Sequence, residues 1–226
     1  MKSSLIAHLT YGVATRLGKA FGVVVLLTTP LAAEEVTVLA LGDSLTQGFG
    51  LPVEAGLVPQ LQRWLEAEGV AATLINAGVS GDTTVGGAAR VAWSLTPEVD
   101  AMIVTLGAND MLRGLDPAEA RANIETILQV AQNQDVDVLL VGVKAPGNYG
   151  PEYKEAFDSL YPDLAQTYGT LFYESFFSGL GSDDPAELRA YFQADGIHPN
   201  AEGVSKIVDA LGPSVKALIE ASAPTQ

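Results

Sequence analysis

The feature that most limits what this chain can fold into is an alternation: apolar runs of strand length recur with segments of helical period between them, and this continues to the C-terminus. The first run, "EEVTVLALG" (34–42), is apolar on both faces and ends in glycine, so it reads as a strand covered on both sides. "ATLINAG" (72–78), "DAMIVTLG" (100–107), "VDVLLVGV" (136–143) and "GTLFYESFF" (169–177) supply four more. Helical segments separate them. "PQLQRWLEAEG" has Pro59 suited to a first turn, Leu61, Trp64 and Leu65 on one face, and Gly69 as a stop. "GAARVAWSL" is a second helix, and in both segments the tryptophan (Trp64, Trp93) falls in a period that predicts core. Asp116, Pro117 and Glu119 form a helix start with the acid at the cap. The last helix runs from about Ala201 to Glu220, behind Pro199 and Asn200. Such an alternation predicts an α/β fold, a parallel sheet of about five strands with helices on both faces. No repeat or Pro/Ser-rich linker divides residues 34–226, so they read as one domain.

Residues 1–33 have a different character. Lys2, Arg16 and Lys19 are their only charges, and "AFGVVVLLTTPLAA" is a short apolar core ending in small residues. That is the anatomy of a secretory signal peptide, with cleavage expected after Ala33 and the protein expected in the periplasm or outside the cell. Ala20 to Leu31, interrupted by Gly22, Thr28, Thr29 and Pro30, falls short of the roughly 18 apolar residues of a spanning helix, so no stable membrane anchor is expected. Cleavage would remove three of the 12 Lys and Arg and none of the 27 Asp and Glu, taking the formal charge from −15 to −18. Such a surface repels nucleic acid and anionic lipid. Cysteine is absent, which excludes disulfides and thiolate metal sites.

In a parallel sheet covered on both faces, a site forms where loops leave the carboxyl ends of the strands. The first such loop carries "GDSLTQG" with Ser44, the second "NAGVSGDTT" with Gly81, and the third "GANDM" with Asn109. The connection before the last helix carries "DGIHPN" with Asp195 and His198. Together these are the parts for acyl transfer. A serine hydroxyl needs a base to take its proton, and His198 is the only histidine besides His8, which lies in the leader. A carboxylate three residues earlier, Asp195, can fold back through a tight turn onto the far ring nitrogen, with Gly196 easing the turn. A tetrahedral intermediate needs fixed donors, which the N–H groups of Gly81 and Ser44 and the amide of Asn109 can supply.

Those four blocks, "GDSL" at 42–45, Gly81 in "SGDT", Asn109 in "GAND" and "DGIHPN" at 195–200, resemble the blocks of the SGNH (GDSL) hydrolases, and of their thioesterase I, lysophospholipase L1 and arylesterase branch in particular. The resemblance extends from about Val36 to the final helix and includes "NYGPEYKEAFDSLYP" (148–162). It implies a flavodoxin-like three-layer α/β/α sandwich, Ser44 as nucleophile, Asp195 orienting His198, and Ser44, Gly81 and Asn109 as oxyanion donors. It also implies a small acyl ester as substrate, with no cofactor and no metal. Ala108 stands where relatives often have glycine before the asparagine.

Each residue also has a plain local explanation. Ser44 with Asp43 fits a helix cap, Gly81 a turn, Asn109 an Asx turn, and Asp183 with Asp184 a helix start before Pro185. Two other functions use the same parts: carbohydrate O-deacetylation, and binding without catalysis on the same fold. Other signatures are missing, among them G-x-S-x-G, the P-loop and H-E-x-x-H.

Overall fold

The computed structural model of the chain describes residues 35–181 and 185–223. The expected leader, residues 1–33, and the pair Asp183 and Asp184 lie outside the described residues. Among the described residues five strands form one parallel sheet: β1 (Val36–Gly42), β2 (Ala72–Gly78), β3 (Ala101–Thr105), β4 (Asp137–Val141) and β5 (Leu171–Tyr173), in the spatial order β2-β1-β3-β4-β5. The helices are α1 (Ser44–Gln47), α2 (Leu57–Ala67), α3 (Thr84–Ser94), α4 (Ala108–Leu112), α5 (Pro117–Asn133), α6 (Pro151–Tyr168), α7 (Pro185–Leu188) and α8 (Ala201–Ser222). Helix α3 packs on α5 and α5 on α6, while α2 packs on α8, giving helices on the two faces of the sheet. Right-handed crossovers require this division, because the chain steps from β1 to β2 in one direction and from β2 onward in the other.

Burial follows from that arrangement. Val38, Leu39, Leu41, Ile103, Val104, Leu139 and Leu140 are buried whichever face they point to. Asp116 caps α5 through its carboxylate on the Ala118 N–H at 2.9 Å, with Pro117 in the first turn, as the sequence predicts. Asn200 does the same for α8, accepting from the Gly203 N–H at 3.0 Å.

Two local expectations change. The last strand covers only Leu171–Tyr173, because Phe176 turns into a 3-10 segment (Phe176–Leu180) and donates its N–H to the Gly142 carbonyl at 2.8 Å. Trp93 is 71% exposed rather than core: it sits near the end of α3, on the side turned from the sheet, whereas Trp64 packs against the core. The stretch at 148–162, for which the sequence predicts no element, passes from a 3-10 turn (Gly147–Tyr149) into α6, whose Phe157, Leu160, Tyr161 and Leu164 are buried. Among the described residues no helix is long and apolar enough to cross a membrane.

Candidate active site

Three strands end in one row. Gly42 of β1 lies in register with Gly78 of β2 on one side and with Thr105 of β3 on the other. Strand order reverses direction at β1, so the loops after β1 and β3 part and leave a crevice between them, the usual place for a ligand in an open α/β sheet. Ser44 follows Gly42 by two residues, Gly81 follows Gly78 by three, and Asn109 follows Thr105 by four. The segment Phe192–Pro199, which carries Asp195 and His198, is closed at its base by a bridge between its two ends and leads directly into α8.

The structure brings Ser44, His198 and Asp195 into one chain of hydrogen bonds. Ser44 Oγ lies 2.9 Å from His198 Nε2, and His198 Nδ1 lies 2.7 Å from Asp195 Oδ2. The other carboxylate oxygen, Oδ1, accepts the N–H of Ile197 at 2.9 Å and of His198 at 3.0 Å. Gly196, at φ +67°, makes the reversal that lets a side chain three residues back reach the ring. The ring hydrogen bond, followed by those two backbone donors, holds the Asp195 carboxyl down at about 2. An ionised carboxylate only accepts, so Nδ1 carries a proton, and in the neutral ring Nε2 then presents its lone pair to the Ser44 hydroxyl.

Asn109 lines the same cavity as Ser44 and His198, and its Nδ2 donates to Asp43 Oδ2 at 3.2 Å. The second Nδ2 proton stays available. Among the described residues neither the Ser44 nor the Gly81 N–H donates to a protein acceptor, and Gly81 lies on an exposed turn at φ +79°. Its carbonyl is held by Arg113 Nη2 at 2.9 Å.

Sequence reasoning missed the groups behind these donors. Asp43, read as a helix cap, does cap α1 through the Leu45 N–H at 2.9 Å, but its other oxygen holds Asn109. It is 1% exposed, and burial raises its carboxyl to about 6 against the opposing pull of the Leu45 and Asn109 hydrogen bonds. Arg90 on α3 donates from Nε to Asp82 at 2.8 Å and from Nη2 to the Gly42 carbonyl at 2.8 Å, tying the Gly81 loop to the end of β1. Asp110 accepts from the Thr84 N–H at 2.9 Å and its hydroxyl at 2.6 Å, tying the Asn109 helix to the start of α3. The signal available for Asp43 was a carboxylate directly after a buried strand; for Arg90 it was a cation on the buried face of a helix.

Ser44, Asn109 and His198 open on a cavity of about 330 Å³ walled by Leu45, Met111, Leu112, Phe177, Phe192 and Ile197. A hydroxyl hydrogen-bonded to an imidazole, an amide donor in the same lining and an apolar chamber in front suit attack on a carbonyl that bears an apolar tail.

A five-stranded sandwich with this site at its switch point is the frame of a serine hydrolase. The model of the GDSL-like lipase/acylhydrolase family matches residues 40–205. Esterase TesA of Pseudomonas aeruginosa is 38% identical over 196 residues, 86% of this chain and 94% of that protein. The thioesterase 1/protease 1/lysophospholipase L1 of Escherichia coli is 33% identical over 197 residues, 86% of this chain and 90% of that one. The solved structure of the psychrotrophic esterase EstA from Pseudoalteromonas superposes with a TM-score of 0.74 at 30% identity, covering 82% of this chain and 100% of EstA. The chain belongs to the GDSL-like lipase/acylhydrolase family.

Proposed function

We propose that this protein hydrolyses carboxylic esters of short to medium acyl chain, and thioesters more slowly, through an acyl-enzyme on Ser44. His198 Nε2 takes the Ser44 proton as Oγ bonds to the ester carbonyl carbon, and the carbonyl oxygen becomes an anion facing the Ser44 N–H, the Gly81 N–H and the Asn109 amide. Collapse of that intermediate breaks the bond to the alcohol oxygen, which leaves with the proton from His198. Water repeats the sequence on the acyl-enzyme and releases the acid. The observation that carries this reading is the unbroken run from hydroxyl to imidazole to carboxylate, 2.9 and 2.7 Å, at the mouth of an apolar cavity. A volume of about 330 Å³ is at the small end of ligand pockets, which favours a short or medium chain. The names of the relatives, an esterase and a thioesterase/lysophospholipase, point the same way. Residues 1–33 are proposed as a cleaved export leader, supported by their charge and apolar pattern.

The EstA structure is described as inhibited by monoethylphosphonate, and phosphonates are the natural probe here too. A fluorophosphonate should label Ser44 alone, read by peptide mass mapping, and Ser44→Ala should fold normally yet lose nearly all turnover. A label on Ser80 or Ser94 with Ser44 clean overturns the assignment. A panel of chromogenic esters and acetylated sugars, with and without the probe, separates esterase from O-deacetylase activity.

A further inference from the structure

Ser44 and His198 belong to segments 154 residues apart in sequence, and a single side-chain hydrogen bond joins the two residues. Beside them, one half-buried side chain touches both segments. The Gln193 amide nitrogen donates to the Phe49 carbonyl at 2.8 Å and to the Pro199 carbonyl at 3.0 Å. Phe49 closes the turn that follows Ser44 and α1, its N–H on the Ser44 carbonyl at 3.1 Å, and Pro199 is the residue after His198. The Gln193 backbone N–H also donates to the His198 carbonyl at 2.8 Å.

We propose that Gln193 is a positioning residue that sets the distance from Ser44 to His198 by holding the Phe49 and Pro199 carbonyls with the two protons of one amide nitrogen. The inference rests on the reading of Ser44 and His198 as nucleophile and base. An amide nitrogen carries two donors on one atom, so both carbonyls are held at one point and the two loops cannot slide past each other without breaking a bond. Two further observations agree. Gly50 leaves the space the amide needs: a Cβ there would lie 2.2 Å from Gln193 Oε1, and its φ of +74° also excludes ordinary side chains. The Phe49 ring, fixed through its own carbonyl, lies against the His198 ring with centroids 4.6 Å apart and planes tilted by 37°. That face shields the imidazole from solvent and favours the positive ring formed when it takes the serine proton.

Gln193→Glu keeps the shape and removes both donors, placing a carboxylate against two carbonyl oxygens. Gln193→Ala removes the contact. Loss of alignment by about 1 Å costs on the order of 100-fold, so kcat should fall about 10- to 100-fold at pH 7 in both, with KM within about twofold of wild type and fluorophosphonate labelling of Ser44 slowed by the same factor. A carboxyl facing two acceptors takes up a proton more readily than a solvated one and regains one donor when it does. The labelling rate of Gln193→Glu relative to wild type should therefore climb several-fold from pH 7 to pH 5, while that of Gln193→Ala stays flat. The pH comparison is internal to the glutamate variant, so it decides even if the alanine variant fails to fold. Variants within twofold of wild type, a loss confined to KM, or a glutamate ratio that does not change with pH would each overturn the clamp. If wild-type Ser44 does not label at all, the functional reading falls and takes the clamp with it; if it labels and the Gln193 variants match it, only the clamp falls.

Discussion

Asp43 is buried at the end of β1, where loss of water favours its neutral form, yet the Asn109 amide beside it requires an acceptor. A carboxyl raised from 3.8 to about 6 binds a proton in the folded chain throughout that window, so stability declines as pH climbs through it. Above it, the ionised form costs on the order of 3 kcal/mol. Asp43→Asn should therefore raise the thermal midpoint at pH 7 and flatten its change between pH 4 and 6, as a scan at several pH values would show. The same substitution should damage catalysis. Its amide would present N–H to Asn109, which turns its own oxygen inward and carries its donor away from the developing oxyanion. Asn109→Ala removes the proposed oxyanion donor outright and should lower kcat by about 10² to 10³ with KM little changed. Asp43→Asn should lose the same factor and the double variant no more, since both remove one interaction. Additive losses would place Asp43 in a separate role. Protonation of Asp43 below about 6 has the same effect as the substitution, so the acid limb of wild-type kcat/KM should include a proton uptake that the limb of Asp43→Asn lacks. Asp195, held at about 2 by its ring and backbone donors, stays ionised through that limb.

Helices α2 and α8 meet where Gly212 faces the ring of Trp64; a Cβ at Gly212 would lie 2.6 Å from the indole. Alanine is the better helix former by about 1 kcal/mol, but the rigid indole has to move to admit it, and overpacking of this kind costs about 1–3 kcal/mol. Gly212→Ala should thus lower stability in a denaturant titration while leaving kcat unchanged, because this contact lies within the α2–α8 layer rather than at the cavity. A gain in stability would mean that Trp64 swings aside freely. Elements of this kind differ in how well sequence reveals them. The first four strands were legible because runs such as "VTVLALG" are apolar on both faces, and the caps of α5 and α8 because Asp116 and Asn200 act within three residues of themselves. Helix α6 was hidden by Pro162 in its interior, and the short reach of β5 by a turn that depends on the Gly142 carbonyl. Trp93 was misread because helical spacing gives a face without saying whether the sheet lies under it. For the candidate site, the placing of Ser44, Gly81 and Asn109 in loops at one edge of the sheet was legible since each stands within four residues of a strand end. Asp43, Arg90 and Gln193 were not, because what they do depends on partners 66, 48 and 144 residues away.

The molecule as a whole carries a formal charge of −15, or −18 over residues 34–226, and that charge bears on which leaving group reaches the site. Coenzyme A is itself polyanionic, so an acyl-CoA thioester approaches a surface of its own sign, whereas a neutral aryl or alkyl ester does not feel the field. One local cation opposes this: Arg113, exposed and bound to the Gly81 carbonyl, stands next to a proposed oxyanion donor. Range decides between them. At 0.01 M salt the Debye length is about 30 Å, long enough for the summed acids to act on an incoming anion before Arg113 can; at 0.1 M it is about 10 Å, and the distant acids fade while near contacts persist. The expected outcome is that kcat/KM for acyl-CoA increases between those two salt concentrations, that the neutral ester is unaffected, and that the neutral ester is the better substrate at the lower one. A fall in the acyl-CoA rate with added salt would show that Arg113 outweighs the net charge at the cavity mouth. In that case Arg113→Gln should remove the salt dependence for acyl-CoA while leaving hydrolysis of the neutral ester within about twofold of wild type.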